Sequence, residues 1–450
     1  MTLLTTIAAF LVTLGILIVV HEYGHYWVAR KCGVKVLRFS IGFGRPLKRW
    51  VRGEDRTEWV IATMPLGGYV RMLDERDPDC APIAPADLPR SFNRQSVWKR
   101  IAIVLAGPAA NLLLAIAVYW VLNVVGVMEP QALLGQPPAA TAASRAGVSA
   151  GDRVVEVDGD AVRSWNELRW LLLQRAVGGR PIAVEVEAVD GGRRALTLEP
   201  AGAVTEDLDG DVIGRLGIVP FSGPPRVGRV ADGSAAERAG LLAGDRIVAA
   251  AGQPIDSARA LIERVRGSAE KRLELTVERD GRTVNLEVTP SRVTDDSGQS
   301  FGRMGAELND RPPLVKVQYG PFESVGLAAG RTVDTAVFSL KMLGKMVTGQ
   351  ASWKNLSGPV TIADYAGQTA RVGLAAFLSF LALVSISLAV LNLLPIPMLD
   401  GGHLLYYFIE ILKGSPPAEW VVEWGQRAGV ALLGLLTVLA LYNDLIRLLS

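Results

Sequence analysis

Residues 3–25 read LLTTIAAFLVTLGILIVVHEYGH, an apolar run of membrane length that closes on two histidines and a glutamate. A helix rising about 1.5 Å per residue over this stretch covers the roughly 30 Å of a bilayer's hydrocarbon core. The spacing sets His21 and His25 one turn apart on one face, where both imidazoles can hold Zn²⁺, and leaves Glu22 beside them as a general base. The same HExxH pattern occurs in ordinary helices, where a histidine on an apolar face is more often a packing residue. Ionisable groups are costly at hydrocarbon depth, however, so three of them within five residues at the end of a span point to function. The third of only three histidines in 450 residues, His403, stands in PMLDGGH near another apolar segment.

Half of the chain is hydrophobic and its mean hydropathy is +0.27, too apolar for an ordinary soluble protein, and it is too long for one domain. A net charge of +2 supplies no field toward nucleic acid, which is excluded as a partner. Cys32 and Cys80 are far apart and imply no disulfide framework. The opening MTLLTTIAAF lacks a basic n-region, and no small-residue cleavage site precedes HEYGH, so this segment is expected to stay as a first helix.

Four segments are long and apolar enough to span a bilayer: 3–25, 101–127, about 374–399 and 428–449. Trp98 and Tyr119/Trp120 bracket the second like interfacial belt residues. Lys and Arg crowd the loop from Arg30 to Arg100, and none precedes the first span. That asymmetry predicts this loop inside, with both termini and the long segment from 128 to about 370 outside. Spans one and three then run the same way and bring HEYGH and LDGGH to one depth near the inner face.

The outer segment repeats itself: RAGVSAGDRVVEVDGDAV (145–162) recurs as RAGLLAGDRIVAAAGQPI (238–255). Each copy continues into a helix (165–174; 258–265), then two alternating strands, IAVEVEAVDGGRRALTLEP and LELTVERDGRTVNLEV. Each closes on a Gly-rich hairpin element, residues 213–217 (IGRLG) and 301–305 (FGRMG). The copies resemble tandem PDZ domains in a permuted order with the peptide-binding loop last. Such a groove adds an extended peptide to a sheet edge and captures its C-terminal carboxylate on backbone N–H groups; a steric filter that binds nothing tightly is the other reading. Beyond the repeats, 322–350 has apolar residues at mixed three and four spacing. It reads either as an amphipathic helix on the outer membrane surface or as a linker helix packed on the PDZ pair.

A zinc hydrolase needs three protein ligands and an open position. Asp400, in NLLPIPMLDGGH, is the candidate third ligand, because Pro395 and Pro397 break the helix before it and let its side chain turn inward. His403 is the rival.

HEYGH with NLLPIPMLDGG, and the further marks FSIGFG (39–44), MPLGGYVRM (64–72), LAGPAANLL (105–113) and LSGPV (356–360), resembles the site-2 protease family of intramembrane zinc metalloproteases over essentially the whole chain. The resemblance implies one zinc per chain held by His21, His25 and Asp400, with Glu22 moving a proton from water to the leaving amine. It also implies that Asn392 contacts substrate or a developing oxyanion, that Gly42, Phe43 and Gly44 lie in a re-entrant β-hairpin, and that Gly67, Gly68 and Tyr69 lie in a neighbouring strand. Ordinary turn glycine is the plain alternative for these glycines. Pro395 and Pro397 would present the unwound segment to substrate.

The expected architecture is a polytopic α-helical membrane protein with four transmembrane helices, a membrane-associated β-hairpin region and two inserted α+β PDZ domains. In order, these are a first transmembrane helix with HExxH (1–27), an inner region with the hairpin (28–100), a second span (101–127), the PDZ domains (128–221 and 222–312), a linker with an amphipathic helix (313–370), a third span with the LDG motif (371–405) and a fourth (428–449). The resemblance implies a bacterial inner-membrane protease whose PDZ domains and termini face the periplasm. Its partners would be the lipid bilayer and single-pass membrane substrates, such as an anti-sigma factor already trimmed on the outer side or leftover signal peptides. Two other readings stand beside it: a non-catalytic membrane-anchored PDZ scaffold, and a membrane metalloprotease acting on soluble misfolded chains.

Overall fold

The computed structural model describes residues 2–77, 83–176, 179–200, 212–221, 223–294, 300–309, 312–350, 353 and 358–449. Cys80, and Leu356 and Ser357 of LSGPV, lie outside the described residues. The chain divides into two compact units, one of residues 1–127 with 318–450 and one of residues 128–317.

The first unit contains α1 (Thr2–Lys31), strands β1 (Val36–Arg52) and β2 (Thr57–Met72), α2 (Val97–Val125), α3 (Pro321–Val347), α4 (Pro359–Val372), α5 (Leu374–Leu393), α6 (Asp400–Lys413) and α7 (Glu419–Leu449). Four of these, α1, α2, α5 and α7, are long and apolar enough to cross a membrane. Helix α2 is central, with α1, α3, α5 and α6 all packed on it. Its approach to α1 depends on Gly107, because a Cβ built there would overlap the imidazole of His25 and the edge of His21.

β1 and β2 curl into one small sheet. Residues 38–41 lie between 68–71 on one side (Arg38 opposite Arg71, Ile41 opposite Gly68) and 58–61 on the other, and 46–52 pair with the far side of 57–62. The inner face of this sheet closes on the end of α1, where Tyr26, Phe39 and Trp59 meet ring to ring at 4.6–5.8 Å. Aromatic edges packed this way fix where the hairpin starts relative to the last turns of the first helix.

Several expectations need correction. The span expected at about 374–399 ends sooner, with the helix break at Pro395 and Pro397 where it was expected: α5 stops at Leu393, residues 394–399 are irregular with Met398 at φ 85°, and α6 begins at Asp400. Pro395 and Pro397 cannot donate to a helix, and Gly401 and Gly402 let the new helix start against the carbonyls of Leu393, Leu394 and Ile396, where a Cβ would clash. Helix α7 starts at Glu419 rather than 428, because Glu419, Glu423 and Arg427 are compatible with a helix outside hydrocarbon although they dilute its hydropathy. Tyr119 is not a belt residue, since it is buried on α2 with the Arg331 guanidinium 4.5 Å from its ring. The expected surface helix is α3, and it packs on α2 and α5 through a line of small residues, Ser324, Ala328, Thr332 and Thr335. Helix α4, within the expected linker, was not anticipated; it packs on α1 and α5.

The second unit holds both sequence repeats. The first copy has a four-stranded sheet in the order 160–161, 153–157, 182–187, 193–198 beside the helix Trp165–Ala176. The second has a sheet ordered 282–288, 273–279, 246–250, 226–230, 306–309 beside the helix Ala258–Gly267. Strand alternation buries Ile182, Val184 and Val186 in one copy and Leu273, Leu275 and Val277 in the other. Of the two closing elements, the second keeps the expected hairpin and the first does not. Residues 300–303 pair with 291–294 as a hairpin. Residues 212–216, by contrast, form a helical turn, because Ile213 and Leu216 are three apart and both bury.

The aspartates of the two GDR motifs share one role. Asp152 accepts from the Ser149 N–H at 2.8 Å and Asp245 from the Leu242 N–H at 2.9 Å, so each ties its turn. Asp245 also takes a two-pronged bond from Arg279, at 2.7 Å to each oxygen, which holds its carboxyl below the usual range. A depressed folded value contributes stability above the unfolded pKa of about 3.9 and loses it as pH falls below that. The resistance of residues 128–317 to urea should therefore weaken steeply below about pH 4 in the wild type. In Asp245→Asn this acid slope should flatten, and stability at neutral pH should drop by about 1–3 kcal/mol.

Candidate active site

α1 presents His21 and His25 from its C-terminal third, and α6 presents Asp400 from its first residue. The Nε2 of His21 lies 3.2 Å from Asp400 Oδ2, the Nε2 of His25 lies 3.5 Å from Asp400 Oδ1, and the two Nε2 atoms are 3.2 Å apart. Among the described residues, these three form the one group of metal-ligating side chains that converges, with ligand atoms within 4.8 Å of one another. His403 is not in it, although it lines the same cleft.

The chemistry of the donors fits a cation. His25 Nδ1 donates to the Ile103 carbonyl at 2.8 Å, which leaves its Nε2 as a lone pair aimed at Asp400. Asp400 Oδ2 is buried without a hydrogen-bond partner. Acceptors that face one another in a buried pocket are costly unless a cation sits between them. The donor set of two imidazoles and one carboxylate is the kind that zinc takes in hydrolases.

Around this triad lies a cleft of about 650 Å³, lined by Glu22, Phe43, Gly67, Gly68, Tyr69, Asn392, Met398 and Leu399 among others. Glu22 runs past Gly68, whose Cβ would come within 3.0 Å of the Glu22 side chain. Asn392, on the last turn of α5, has its Nδ2 3.5 Å from His21 Nε2. Phe43 stacks on Tyr69 at 6.1 Å between centroids. Of the residues expected at the site, Gly42, Gly44, Pro395 and Pro397 do not line the cleft. Gly42 and Gly44 bend β1 with φ of 91° each, and Pro397 packs under α7, where Gly429 leaves it room and Gly425 makes room for the Tyr406 hydroxyl beside it.

Sequence reasoning missed the supports. Ile103 and Asn111 of α2 contact the histidines, the latter with its Nδ2 3.4 Å from His21 Nδ1. A second support is an ion pair: Arg100 of α2 donates to Glu410 of α6 at 2.6 Å, both largely buried, and the guanidinium lies 4.9 Å from the Tyr407 ring. It ties the helix that begins at Asp400 to α2. The spacing of 310 residues gives such a pair no signal in one sequence.

Comparison with known proteins matches residues 9–436 to peptidase family M50. A relative in Ralstonia nicotianae whose name is that of a zinc metalloprotease is 48% identical over 456 residues, covering 98% of each chain. Protease RseP of Yersinia pestis is 42% identical over 459 residues, covering all of both chains. The regulator of sigma-E protease RseP of Escherichia coli is 41% identical over 452 residues, covering 98% of each. Among solved structures, a PDZ domain of an SdrC-like protein from Listeria monocytogenes covers 20% of this chain and 93% of its own at 20% identity, with a TM-score of 0.18, a likeness too slight to bear on the fold.

Replacing Arg100 alone by Met should cost about 3–5 kcal/mol, since it strands the Glu410 carboxylate, whereas Arg100→Met with Glu410→Met should recover most of that loss. Thermal unfolding in detergent measures both; equal losses would show that the stranded Glu410 carboxylate is not what the single replacement costs.

Proposed function

The chain belongs to peptidase family M50, the site-2 proteases, and is a zinc metalloprotease, and from that premise we propose that it cuts single-pass membrane proteins within or near their transmembrane segments, using His21, His25 and Asp400 as zinc ligands and Glu22 as general base. The observation that carries this reading is the convergence of the three ligand atoms within 4.8 Å, in a cleft walled by residues 67–70 of β2.

Zinc, when bound, supplies Lewis-acid chemistry that lowers the pKa of water and polarises the scissile carbonyl. The protein supplies the rest. The Glu22 carboxylate takes the proton of the attacking water and returns it to the departing amide nitrogen. The Asn392 amide, on the His21 side of the cleft, donates to the carbonyl oxygen as it gains charge. A peptide bond inside a helix is shielded by its own hydrogen bonds, so the substrate must be held extended. Among the described residues, no strand pairs with the outer edge of residues 68–72, and that edge offers N–H and C=O groups to an unwound segment. Phe43 and Tyr69 give its side chains an aromatic wall.

The chain would sit in a bacterial inner membrane with its repeats in the periplasm and the active site near the cytoplasmic face. This orientation rests on the Lys and Arg of residues 30–100. The repeats are read as two PDZ domains. A cleft of about 490 Å³ beside Phe301 and Gly302 in the second supports capture of a peptide C-terminus, and a size filter that admits only trimmed substrates is compatible with the same domains. An anti-sigma factor already shortened on the outer side and remnant signal peptides are the proposed substrates; a relative carries the name regulator of sigma-E protease.

Glu22→Gln should abolish cleavage of a trimmed single-pass substrate while leaving zinc content unchanged. Mapping products from co-expressed candidate substrates, wild type against Glu22→Gln, checks this, and cleavage at the same bond by the variant would contradict it.

A further inference from the structure

We propose that Asn111 is the positioning residue for His21: its side-chain oxygen accepts the Nδ1–H of that imidazole and so fixes Nε2 as the lone pair that faces the metal. The inference rests on the reading of His21 as a zinc ligand.

The geometry starts from which nitrogen of His21 points where. Nε2 is the atom 3.2 Å from both Asp400 Oδ2 and His25 Nε2, so it is the one turned into the ligand triangle. A neutral imidazole that offers Nε2 as a lone pair carries its hydrogen on Nδ1, and a buried N–H requires an acceptor. For His25 that acceptor is the Ile103 carbonyl, 2.8 Å away on α2. The corresponding group for His21 is the carboxamide of Asn111, 3.4 Å from Nδ1 and fully buried on the same helix.

The amide nitrogen faces His21 and the amide oxygen is buried with no partner. Oxygen and nitrogen of a carboxamide are interchangeable in shape, and their assignment follows the hydrogen-bond network. A half-turn of the amide brings Oδ1 to Nδ1. It satisfies the oxygen and the imidazole N–H together, and it leaves Nε2 free to bind. Both ligand histidines are then oriented from α2, one by a backbone carbonyl and one by a side chain. Supports of this kind set ring orientation and ligand basicity.

The same residue also has a packing contact that could account for its burial: the Ser385 hydroxyl of α5 donates to the Asn111 backbone carbonyl at 2.7 Å. That bond does not use the side chain, so the two roles separate by substitution. Asn111→Leu keeps the branched shape and the backbone bond but removes the acceptor. Asn111→Asp restores an acceptor at the same atom. Ser385→Ala removes the α2 to α5 bond and leaves the amide intact.

The test is the zinc dissociation constant of the purified full chain in detergent, by competition with a chelator, at one pH. Asn111→Leu should weaken zinc about 10–100-fold, Asn111→Asp should return it toward the wild-type value, and Ser385→Ala should leave it unchanged. Wild-type affinity in Asn111→Leu, or a loss in Asn111→Asp as large as in Asn111→Leu, overturns the proposal. His21→Ala reports separately on the reading beneath it. If His21→Ala loses zinc while Asn111→Leu does not, only the positioning role fails; if His21→Ala keeps zinc at wild-type affinity, the ligand assignment itself falls.

Discussion

Polar groups inside an apolar helix bundle persist only where each finds a partner, because water is not there to take its place. In this molecule α2 supplies the partners. Its backbone at Ile103 takes the Nδ1–H of His25, its Asn111 side chain stands against Nδ1 of His21, and its missing Cβ at Gly107 makes room for both rings. With their outer nitrogens engaged, the two imidazoles turn their Nε2 atoms inward, toward Asp400. That inward convergence suits a cation, and the zinc of this protease family answers it.

The second requirement is that Asp400 arrive at the same depth as the histidines. A continuous helix from Leu374 could not bring it there with its carboxylate turned inward. The break at 394–399 solves this. It ends one helix, turns the backbone through Met398 at positive φ, and starts α6 on two glycines set against the exposed carbonyls. The broken segment is then held from two sides, by the Arg100–Glu410 pair behind α6 and by Pro397 seated against Gly425 and Gly429 of α7. Irregular backbone in a membrane protein is tolerated where it lines a cavity or meets protein, and this one does both.

Much of this was legible in the residues. HEYGH, the Pro-x-Pro before Asp400 and the four apolar runs carry local signals, because helical period and proline chemistry act over a few residues. The repeat was legible because a domain copied in tandem repeats its turn chemistry, down to the aspartates at 152 and 245 that tie their turns. What stayed hidden depends on contacts distant in sequence. Neither Asn111 nor Arg100 stands out in its own helix, and α4 is too short and mixed in composition to announce itself. The end of α5 was read too far along because 394–399 is as apolar as the helix before it, and the helical turn at 212–216 was masked by its likeness to the hairpin at 301–305.

The zinc content of purified protein tests the central claim most directly. The account predicts about one zinc per chain in the wild type, lost in Asp400→Ala and retained in His403→Ala, because only Asp400 brings an oxygen within 3.5 Å of both Nε2 atoms. Zinc retained in Asp400→Ala but lost in His403→Ala would contradict it.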